Sequence, residues 1–311
     1  MKIIDKPLMS RRTTLGLGGA ALAEIRIQSP RDWDGLSRFL DLYGGLPFVL
    51  GKGSNVLASD DEQPVVLIRI TDSQAIEIRS QKESGVRLQA GAGVGLPKLV
   101  AAMQRKGFSG LENLTGIPGS LGGACAMNAG SFGSEFIDSL SKIGLWSPRG
   151  GHRWLDAGSC LVGYRRFEPP VEEDFWVITD LELRLIPSNP EEILGHMREV
   201  LKRKKGSQPV TDRTCGCVFA NPSPHEPAGR LLEESGQKGR RIGDMAWSKI
   251  HANFLVNLGQ GTSSQACELI RQARKEVGKL FGCRLPLEVC LLGLQDLDID
   301  PGPWGGVDVP E

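Results

Sequence analysis

The sequence predicts a mixed fold of helices and strands arranged in three successive regions. Apolar residues recur at helical spacing in segments such as 264–281, and they alternate with polar residues in segments such as 176–186. An apolar, glycine-rich loop over residues 116–130 interrupts these patterns near the middle of the chain. With 311 residues, the chain is long enough for two or three domains.

The composition excludes several classes of protein. Lys plus Arg equals Asp plus Glu at 37 each, so no overall field favours nucleic acid or an acidic membrane. No apolar run approaches the ~20 residues of a membrane helix, and residues 1–12 lack the apolar segment of a secretory signal. The seven cysteines are irregularly spaced, which indicates a reduced, cytoplasmic protein. We expect a monomer or weak oligomer that acts on a small molecule, without nucleic-acid or membrane partners.

The first region, residues 1–63, is predicted to contain a helix followed by a short strand. Ser29 and Pro30 are the residue types of an N-cap and a first helical position. The strand over 48–50 leads into a glycine-containing loop at 51–55. The apolar stripe of the helix comprises Trp33, Leu36 and Leu40.

The second region, residues 64–190, has mainly the two-residue period of strands. Strands are predicted over 65–70, 75–79, 86–90 and 176–186, and a helix over 97–105. The inward face of that helix comprises Leu99, Val100 and Met103. One face of the last strand comprises Val177, Thr179, Leu181, Leu183 and Leu185.

The third region is predicted to begin after a capped helix that starts at Asn189 and ends in the basic run 202–205. That run is either a solvated helix end or an anion-binding segment. The clearest helix spans 264–281 and is capped by Gly282. Residues 294–311 are rich in Asp, Pro and Gly and are predicted to form a poorly ordered tail. The inward face of the 264–281 helix comprises Ala266, Leu269, Ile270, Ala273, Val277 and Leu280.

The loop over 116–130 is the most informative segment for function. Glycines without a Cβ let backbone N–H groups come close to a flat or anionic group. The segment is apolar, unlike a surface linker. It therefore predicts a buried cofactor that bears phosphate, and the alternative is a tight crossover between strands.

Familiar motifs do not explain this pattern. The string at 51–53 lacks the Ser or Thr that follows Lys in a P-loop, and no string has the three glycines of a Rossmann fingerprint. Cys215 and Cys217 have no second ligand pair at zinc spacing, so we predict no metal site. His251 has no triad partner identifiable from the sequence and is predicted to be a structural hydrogen-bonder.

A set of short strings lies in a fixed order between about residues 10 and 293. The strings are Thr13-Thr14 with Gly18-Gly19, Gly51-Lys52-Gly53-Ser54-Asn55, Gly110-Leu111-Glu112 with the 116–130 loop, Gly163-Tyr164-Arg165, Cys215-Gly216-Cys217-Val218-Phe219-Ala220-Asn221-Pro222, Ala228-Gly229-Arg230-Leu231-Leu232-Glu233, Gly239, His251-Ala252-Asn253-Phe254-Leu255-Val256-Asn257 and Leu287-Glu288. Together they resemble the UDP-N-acetylenolpyruvoylglucosamine reductases, the flavoenzymes that complete UDP-N-acetylmuramate in bacterial cell-wall synthesis. The chain resembles the shorter subtype, which lacks an added aromatic loop.

The resemblance implies an α+β fold with an FAD-binding domain of the vanillyl-alcohol-oxidase type and a C-terminal α/β substrate domain. It divides the chain into FAD-binding subdomains at 1–63 and 64–190 and a substrate domain at 200–293. FAD is the implied cofactor, and NADPH is the reducing co-substrate. The implied FAD-binding residues are Gly51, Gly53, Ser54, Asn55, Gly116, Pro118, Gly119, Ser120, Gly123, Asn128 and Gly130.

The resemblance also implies the chemistry. In the family, the flavin delivers a hydride to C3 of the enolpyruvyl group, and a serine protonates C2. Cys217 occupies that serine's place here, and a thiol with a pKa near ~8.5 is largely protonated at neutral pH. Arg165 matches the arginine near the substrate carboxylate, and Glu288 matches the C-terminal catalytic glutamate. Lys205 and Asn221 fall where the family contacts the nucleotide-sugar.

Two departures and two alternative functions accompany this prediction. The serine that usually follows the "YR" pair is missing, so Arg166 competes with Arg165 for the inward position, and Ala220 replaces a common lysine. One alternative is another flavin oxidoreductase acting on an alcohol or sugar. The other is a nucleotide-sugar sensor without activity, which the presence of Arg165, Cys217 and Glu288 disfavours.

Overall fold

The computed structural model describes residues 1–71 and 76–294. Ala75, at the start of a predicted strand, and nearly all of the predicted tail lie outside these residues. The chain forms two compact units. The first comprises residues 1–3, 25–52 and 67–203, and the second comprises 4–24, 53–66 and the residues from 204 onward. The predicted boundaries at 63 and 190–200 remain a prediction.

Helices and strands are mixed in both units, as the sequence predicts. The α-helices are α1 (Leu36–Tyr43), α2 (Leu96–Lys106), α3 (Leu121–Ala126), α4 (Pro190–Ser207), α5 (Ala228–Glu234) and α6 (Ser263–Phe281). The strands are β1 (Lys2–Asp5), β2 (Ala21–Ile27), β3 (Leu46–Val49), β4 (Val56–Ala58), β5 (Gln63–Ile70), β6 (Glu77–Lys82), β7 (Gly85–Gly91), β8 (Phe108–Ser109), β9 (Gly130–Ser131), β10 (Ser134–Glu135), β11 (Leu140–Ser147), β12 (Gly151–Asp156), β13 (Leu161–Gly163), β14 (Arg166–Glu168), β15 (Val177–Pro187), β16 (Thr214–Cys217), β17 (Arg241–Ile242), β18 (Met245–Trp247), β19 (Phe254–Asn257) and β20 (Cys290–Leu292).

The first unit is built on a sheet with the order β12-β11-β15-β7-β6, and β8 also pairs with β15. Strand β15 buries the predicted face from Val177 to Leu185, which confirms the alternating pattern. Helix α2 buries Leu99, Val100 and Met103, also as predicted. The three α2 side chains and Leu181, Leu183 and Leu185 of β15 belong to one apolar core that extends from Val86 to Leu185.

The predicted start of the first helix is confirmed, but its first residues form a 3-10 helix, which is wound more tightly than an α-helix. Ser29 and Asp32 form a capping box ahead of a 3-10 turn over Pro30–Gly35, and α1 follows directly. Gly44 ends α1 in the left-handed conformation.

The second unit contains an antiparallel sheet with the order β16-β19-β18-β17. Thr262 caps α6, and Gly282 ends it in the left-handed conformation, as predicted. The predicted inward face is buried as far as Val277, whereas Leu280 is 56% exposed, so that part of the prediction is wrong. Leu280 has the right angle on the helix but lies one turn past Val277, beyond the residues that form the core.

A further four-stranded sheet has the order β1-β2-β5-β3. Strand β4 pairs in parallel with β20, with Val56 opposite Cys290. This pairing brings the segment after the 51–55 loop next to the segment after Glu288. Within the described residues, the structure contains no helix that is both long and apolar enough to cross a membrane.

Candidate active site

Two of the predicted cofactor loops meet within the first unit. A Cβ added at Gly51 would lie 2.5 Å from Oγ of Ser120, so a side chain at position 51 would displace the Ser120 hydroxyl. That hydroxyl accepts a hydrogen bond from the backbone N–H of Gly123 at 3.3 Å and caps α3. Glycine at position 51 therefore leaves the Ser120 hydroxyl in place at the start of α3.

The loop over 116–119 is anchored by its backbone and carries few side chains. Gly116 and Gly119 have φ angles of +82° and +147°, which favour glycine. The carbonyl oxygen of Gly119 accepts from the N–H of Leu96 at 3.0 Å, which ties the loop to the start of α2. Gly116 and Pro118 are exposed. A fixed, exposed backbone without Cβ atoms fits the close approach that an FAD pyrophosphate or ring requires.

Asn128 holds the end of the glycine-rich loop. It is buried, has a φ of +39°, and donates from Nδ2 to Oε2 of Glu135 at 2.7 Å and to the carbonyl oxygen of Gly163 at 3.1 Å. Its Oδ1 accepts from the N–H of Ile137 at 3.2 Å. Asn128 thus joins the loop to the β13–β14 hairpin, whose two-residue turn is Tyr164-Arg165.

The two arginines of that hairpin have different surroundings. Arg165 adopts a φ of +55° and donates from Nη2 to the carbonyl oxygen of Gly130 at 3.3 Å. Arg166 is exposed and binds both carboxylate oxygens of Glu168, at 2.8 and 2.9 Å. This ion pair lowers the pKa of Glu168. Arg165 is therefore the arginine directed at the loop, at the cost of a left-handed backbone that non-glycine residues seldom adopt.

In the second unit, hydrogen bonds join three segments that carry predicted site residues. The side chain of Asn55 donates from Nδ2 to the carbonyl oxygen of Glu288 at 2.9 Å, and the N–H of Cys290 donates to the carbonyl oxygen of Asn55 at 3.0 Å. The N–H of Glu288 donates to the carbonyl oxygen of Val218 at 2.8 Å. The cofactor loop, the strand of Cys217 and the segment of Glu288 are thus held together by their backbones.

Gly53 starts the part of the cofactor loop that belongs to this unit. Its φ is +66°, and an added Cβ would lie 2.1 Å from the carbonyl oxygen of Arg12. Its own carbonyl oxygen accepts from the N–H of Thr14 at 3.0 Å. The loop can therefore follow this path only with glycine at position 53.

Cys217 and Cys215 differ in accessibility although only one residue separates them. Cys215 is fully buried, and burial raises the pKa of its thiol to about 12. Cys217 is half-buried. Gly216 between them has a φ of +79°, within a bulge where two residues of β16 oppose one residue of β19. Such a bulge re-aims side chains, so the two thiols have different environments.

The predicted substrate residues, Lys205 and Asn221, are not among the residues that form the hydrogen bonds described above. Lys205 is exposed in the last turn of α4. Asn221 lies four residues after Cys217, and its Oδ1 accepts from the N–H of Ala228 at 3.0 Å. This bond fixes the side chain at the start of α5.

Lys204 is the residue of the basic run that sequence analysis missed. It is only 3% exposed, and burial lowers the pKa of its ammonium to about 8. The run itself was visible in the sequence, but the charge pattern does not reveal which member faces inward.

Asn253 is a second residue that was missed. It is buried, and its side chain forms two hydrogen bonds with the backbone of Phe219, accepting at 2.9 Å and donating at 2.7 Å. His251 Nδ1 accepts from the N–H of Asn253 at 3.2 Å, which is the structural hydrogen bonding predicted for this histidine. The only signal in the sequence was the string His251-Ala252-Asn253-Phe254, which does not show what its members bind.

Family models match both parts of the chain. A model of an FAD binding domain matches residues 25–156. A model of the C-terminal domain of UDP-N-acetylenolpyruvoylglucosamine reductase matches residues 208–292. The first match confirms the predicted FAD-binding domain and its cofactor.

Individual relatives match along almost their whole length. The UDP-N-acetylenolpyruvoylglucosamine reductase of Nitratidesulfovibrio vulgaris is 42% identical, over 94% of this chain and 99% of the relative. That of Oleidesulfovibrio alaskensis is 43% identical, over 92% of this chain and 97% of the relative. The crystal structure of the reductase from Thermus caldophilus has a TM-score of 0.78 and 35% identity, over 94% of this chain and 99% of that one. The chain therefore belongs to the UDP-N-acetylenolpyruvoylglucosamine reductase family.

Proposed function

We propose that this chain reduces enolpyruvyl-UDP-N-acetylglucosamine to UDP-N-acetylmuramate with FAD and NADPH, in the cytoplasmic synthesis of peptidoglycan precursors. Membership of the reductase family supports the reaction. The observation that supports its site is the hydrogen bonding of the 53–55 loop, the strand of Cys217 and the segment of Glu288 within one unit. We propose a monomer or weak oligomer as the working form.

FAD, when bound, supplies hydride transfer from NADPH to C3 of the enolpyruvyl group. The residues proposed to hold it are the glycine-rich loop 116–130, with Ser120 and Asn128, and the loop 51–55. Gly116 and Gly123 are exposed, and Gly116 and Gly119 have positive φ angles, so the backbone of the 116–130 loop can approach phosphate and a flat ring. Little positive charge is needed for such contacts, in agreement with a chain of zero net charge.

Cys217 is proposed to donate the proton. Addition of hydride at C3 leaves an electron pair at C2, and Sγ–H transfers its proton there to form the new C–H bond. The half-buried position of Cys217 allows access by substrate, whereas the neighbouring thiol of Cys215 is enclosed. Solvent then returns a proton to the thiolate before the next turnover.

Arg165 and Glu288 are proposed to control charge during this step. A guanidinium fork can bind the substrate carboxylate at two points and stabilise the negative charge that develops next to it. Glu288 is proposed to polarise the enol or to balance its proton. The backbone of Glu288 is held by Asn55 and Val218, which fixes the position from which its side chain extends.

Lys205 and Asn221 are proposed to contact the nucleotide-sugar. Lys205 is exposed in the last turn of α4, and its ammonium can form a charge-assisted hydrogen bond with a diphosphate oxygen. The Oδ1 of Asn221 accepts a backbone hydrogen bond, which orients its amide.

The test separates the two halves of the reaction. The purified protein should show the visible spectrum of oxidised flavin, which NADPH should bleach. Enolpyruvyl-UDP-N-acetylglucosamine added without oxygen should then restore the spectrum and yield UDP-N-acetylmuramate. A protein that cannot be reconstituted with FAD would contradict the proposal. If an alcohol-derived substrate or another sugar reoxidised the reduced flavin and the enolpyruvyl substrate did not, the result would favour a different flavin oxidoreductase.

A further inference from the structure

We propose that Thr14 is a positioning residue that sets the place of the Cys217 strand relative to the cofactor loop. This inference rests on the proposed function of Cys217. Thr14 lies about two hundred residues from Cys217 in the sequence, and its partners are backbone atoms of the two segments that must cooperate.

Thr14 bridges these segments with two different donors. Its backbone N–H donates to the carbonyl oxygen of Gly53 at 3.0 Å. Its hydroxyl lies 2.6 Å from the carbonyl oxygen of Thr214 and 3.3 Å from that of Gly53. A hydroxyl has one hydrogen, and the shorter distance assigns it to Thr214. A change of the side chain therefore cuts the bridge on the Cys217 side and leaves the bond to Gly53.

The bridge acts where β16 is least constrained by its own sheet. Strand β16 is at the edge of its sheet, and its ladder with β19 is shifted between Thr214 and Cys217. Gly216 in this bulge adopts a φ of +79°. Thr14 anchors Thr214, the residue just before the bulge, and the bond between Glu288 and Val218 anchors the residue after Cys217. The direction of the Cys217 side chain thus depends on both anchors.

The bridge completes a ring of three connections. Thr14 joins the cofactor loop to β16, Val218 joins β16 to the Glu288 segment, and Asn55 joins that segment back to the loop. Removing one connection leaves the other two, so we expect displacement rather than collapse. Thr14 is exposed, so loss of its hydroxyl should cost little stability.

Thr14→Val is the test, and Thr13→Val is the matched control. Thr13 is buried, and its hydroxyl donates to the carbonyl oxygen of Leu17 at 2.8 Å, within its own turn. In T14V holoenzyme, reoxidation of reduced flavin by the enolpyruvyl substrate should slow about 3- to 10-fold, the effect of one neutral hydrogen bond. Flavin reduction by NADPH and the FAD dissociation constant should stay within about twofold, and T14S should restore reoxidation.

Two further measurements separate positioning from general damage. In FAD-free protein, a neutral alkylating reagent should modify Cys217 faster in T14V than in T13V, as followed by peptide mass spectrometry. In a Cys217→Ala background, T14V should cause no additional slowing of reoxidation, because the group it positions is gone. T13V should lower the melting temperature without slowing reoxidation selectively.

The outcomes that would contradict this proposal distinguish the role of Thr14 from the role of Cys217. Equal slowing of both half-reactions by T14V, or the same slowing in the Cys217→Ala background, would overturn the role of Thr14 and leave that of Cys217 intact. The role of Thr14 would also be overturned, with that of Cys217 intact, if Cys217→Ala slowed reoxidation and T14V did not. Undiminished reoxidation by Cys217→Ala alone would refute the proposed function of Cys217, and with it this inference.

Discussion

At the scale of single residues, Cys217 carries the most specific part of the proposed chemistry. Its place corresponds to a serine in the family that the sequence resembles. A thiol is a stronger acid than an alcohol, so the exchange keeps a proton donor at this position. The bulge at Gly216 gives Cys217 an environment distinct from that of buried Cys215. The proposed donor therefore differs from the family's serine by one atom, sulfur in place of oxygen.

Cys217→Ala should leave flavin reduction by NADPH nearly intact and slow product formation by about 100-fold or more, the usual effect of losing a general acid. Cys217→Ser should retain substantial activity because the hydroxyl can still donate a proton. Stopped-flow absorbance of the flavin measures both half-reactions. Cys215→Ala is the control, since that thiol is enclosed. Equal loss of both half-reactions in Cys217→Ala would indicate misfolding instead.

Substitutions of Arg165 and Arg166 form a matched pair that tests which guanidinium binds the substrate carboxylate. Arg165→Ala should lower kcat/KM for the enolpyruvyl substrate roughly 10- to 100-fold, as expected for a lost hydrogen bond to a charged group. Arg166→Ala removes an exposed pair with Glu168, and exposed pairs contribute little. It should change kcat/KM less than about twofold. The reverse order of effects would assign the substrate carboxylate to Arg166.

At the scale of elements, the loop 51–55 illustrates how glycine determines a path. A Cβ at Gly51 would meet Ser120, and a Cβ at Gly53 would meet the backbone of Arg12. Both contacts are within the protein itself, so packing favours glycine at position 51 and requires it at position 53 before any cofactor is considered. The bare backbone that results is also what a phosphate-bearing ligand needs.

Gly53→Ala should therefore lower the melting temperature and the retention of FAD. The suitable control is Gly44→Ala, which has a similar φ of +62° but nothing within 4 Å of the added Cβ. Gly44→Ala should cost about 1–2 kcal/mol of unfolding free energy, the left-handed penalty alone. Gly53→Ala should cost more, because the backbone of Arg12 must also move. Thermal unfolding and the flavin content of the purified variants test this, and equal costs would contradict it.

Helix α4 ends in a basic run in which one lysine differs from the others. Burial lowers the pKa of Lys204 from 10.5 to about 8 in the folded protein. Between these values the unfolded chain binds a proton that the folded chain does not. The contribution of Lys204 to stability therefore rises with pH across this window.

Raising the pH from 7 to 10 should stabilise the wild-type protein relative to Lys204→Met. The difference in their melting temperatures, measured at several pH values, reports this change. Lys205→Met, on the exposed neighbour, controls for the loss of one positive charge. The lowered pKa of Lys204 would be contradicted if the difference in melting temperature between the wild type and Lys204→Met did not vary with pH. It would also be contradicted if the wild type lost stability relative to Lys204→Met as the pH rose.

At the scale of the whole molecule, the residues proposed for the site belong to two compact units. Gly51, the 116–130 loop and Arg165 belong to the first, and Gly53–Asn55, Cys217 and Glu288 belong to the second. Each unit has its own apolar core. Segments far apart in sequence build each unit, because the chain passes between the units within β1, β2, the 51–55 loop, β5 and α4.

Local patterns predicted the elements well where burial follows a regular period. The alternation in β15, the inward face of α2 and the caps of α6 could be predicted because each depends on residues close in sequence. Leu280 was wrongly predicted to be buried, because periodicity gives the angle of a side chain and not the extent of the core that would cover it. The strand predicted at 75–79 is Glu77–Lys82 in the structure, because β6 is exposed along its whole length and no buried face marks its end in the sequence.

The sequence by itself determined the family and the cofactor class, because these depend on short ordered strings that can be compared directly. Only the tertiary structure decided that Thr14 bonds Thr214, that Asn55 bonds Glu288, that Lys204 is the buried lysine, and that Arg165 contacts Gly130. Each of these three hydrogen bonds runs from a side chain to a backbone carbonyl oxygen that is distant in sequence. A hydrogen bond to a carbonyl oxygen places almost no demand on the identity of the residue that carries it, so it leaves no pattern in the sequence.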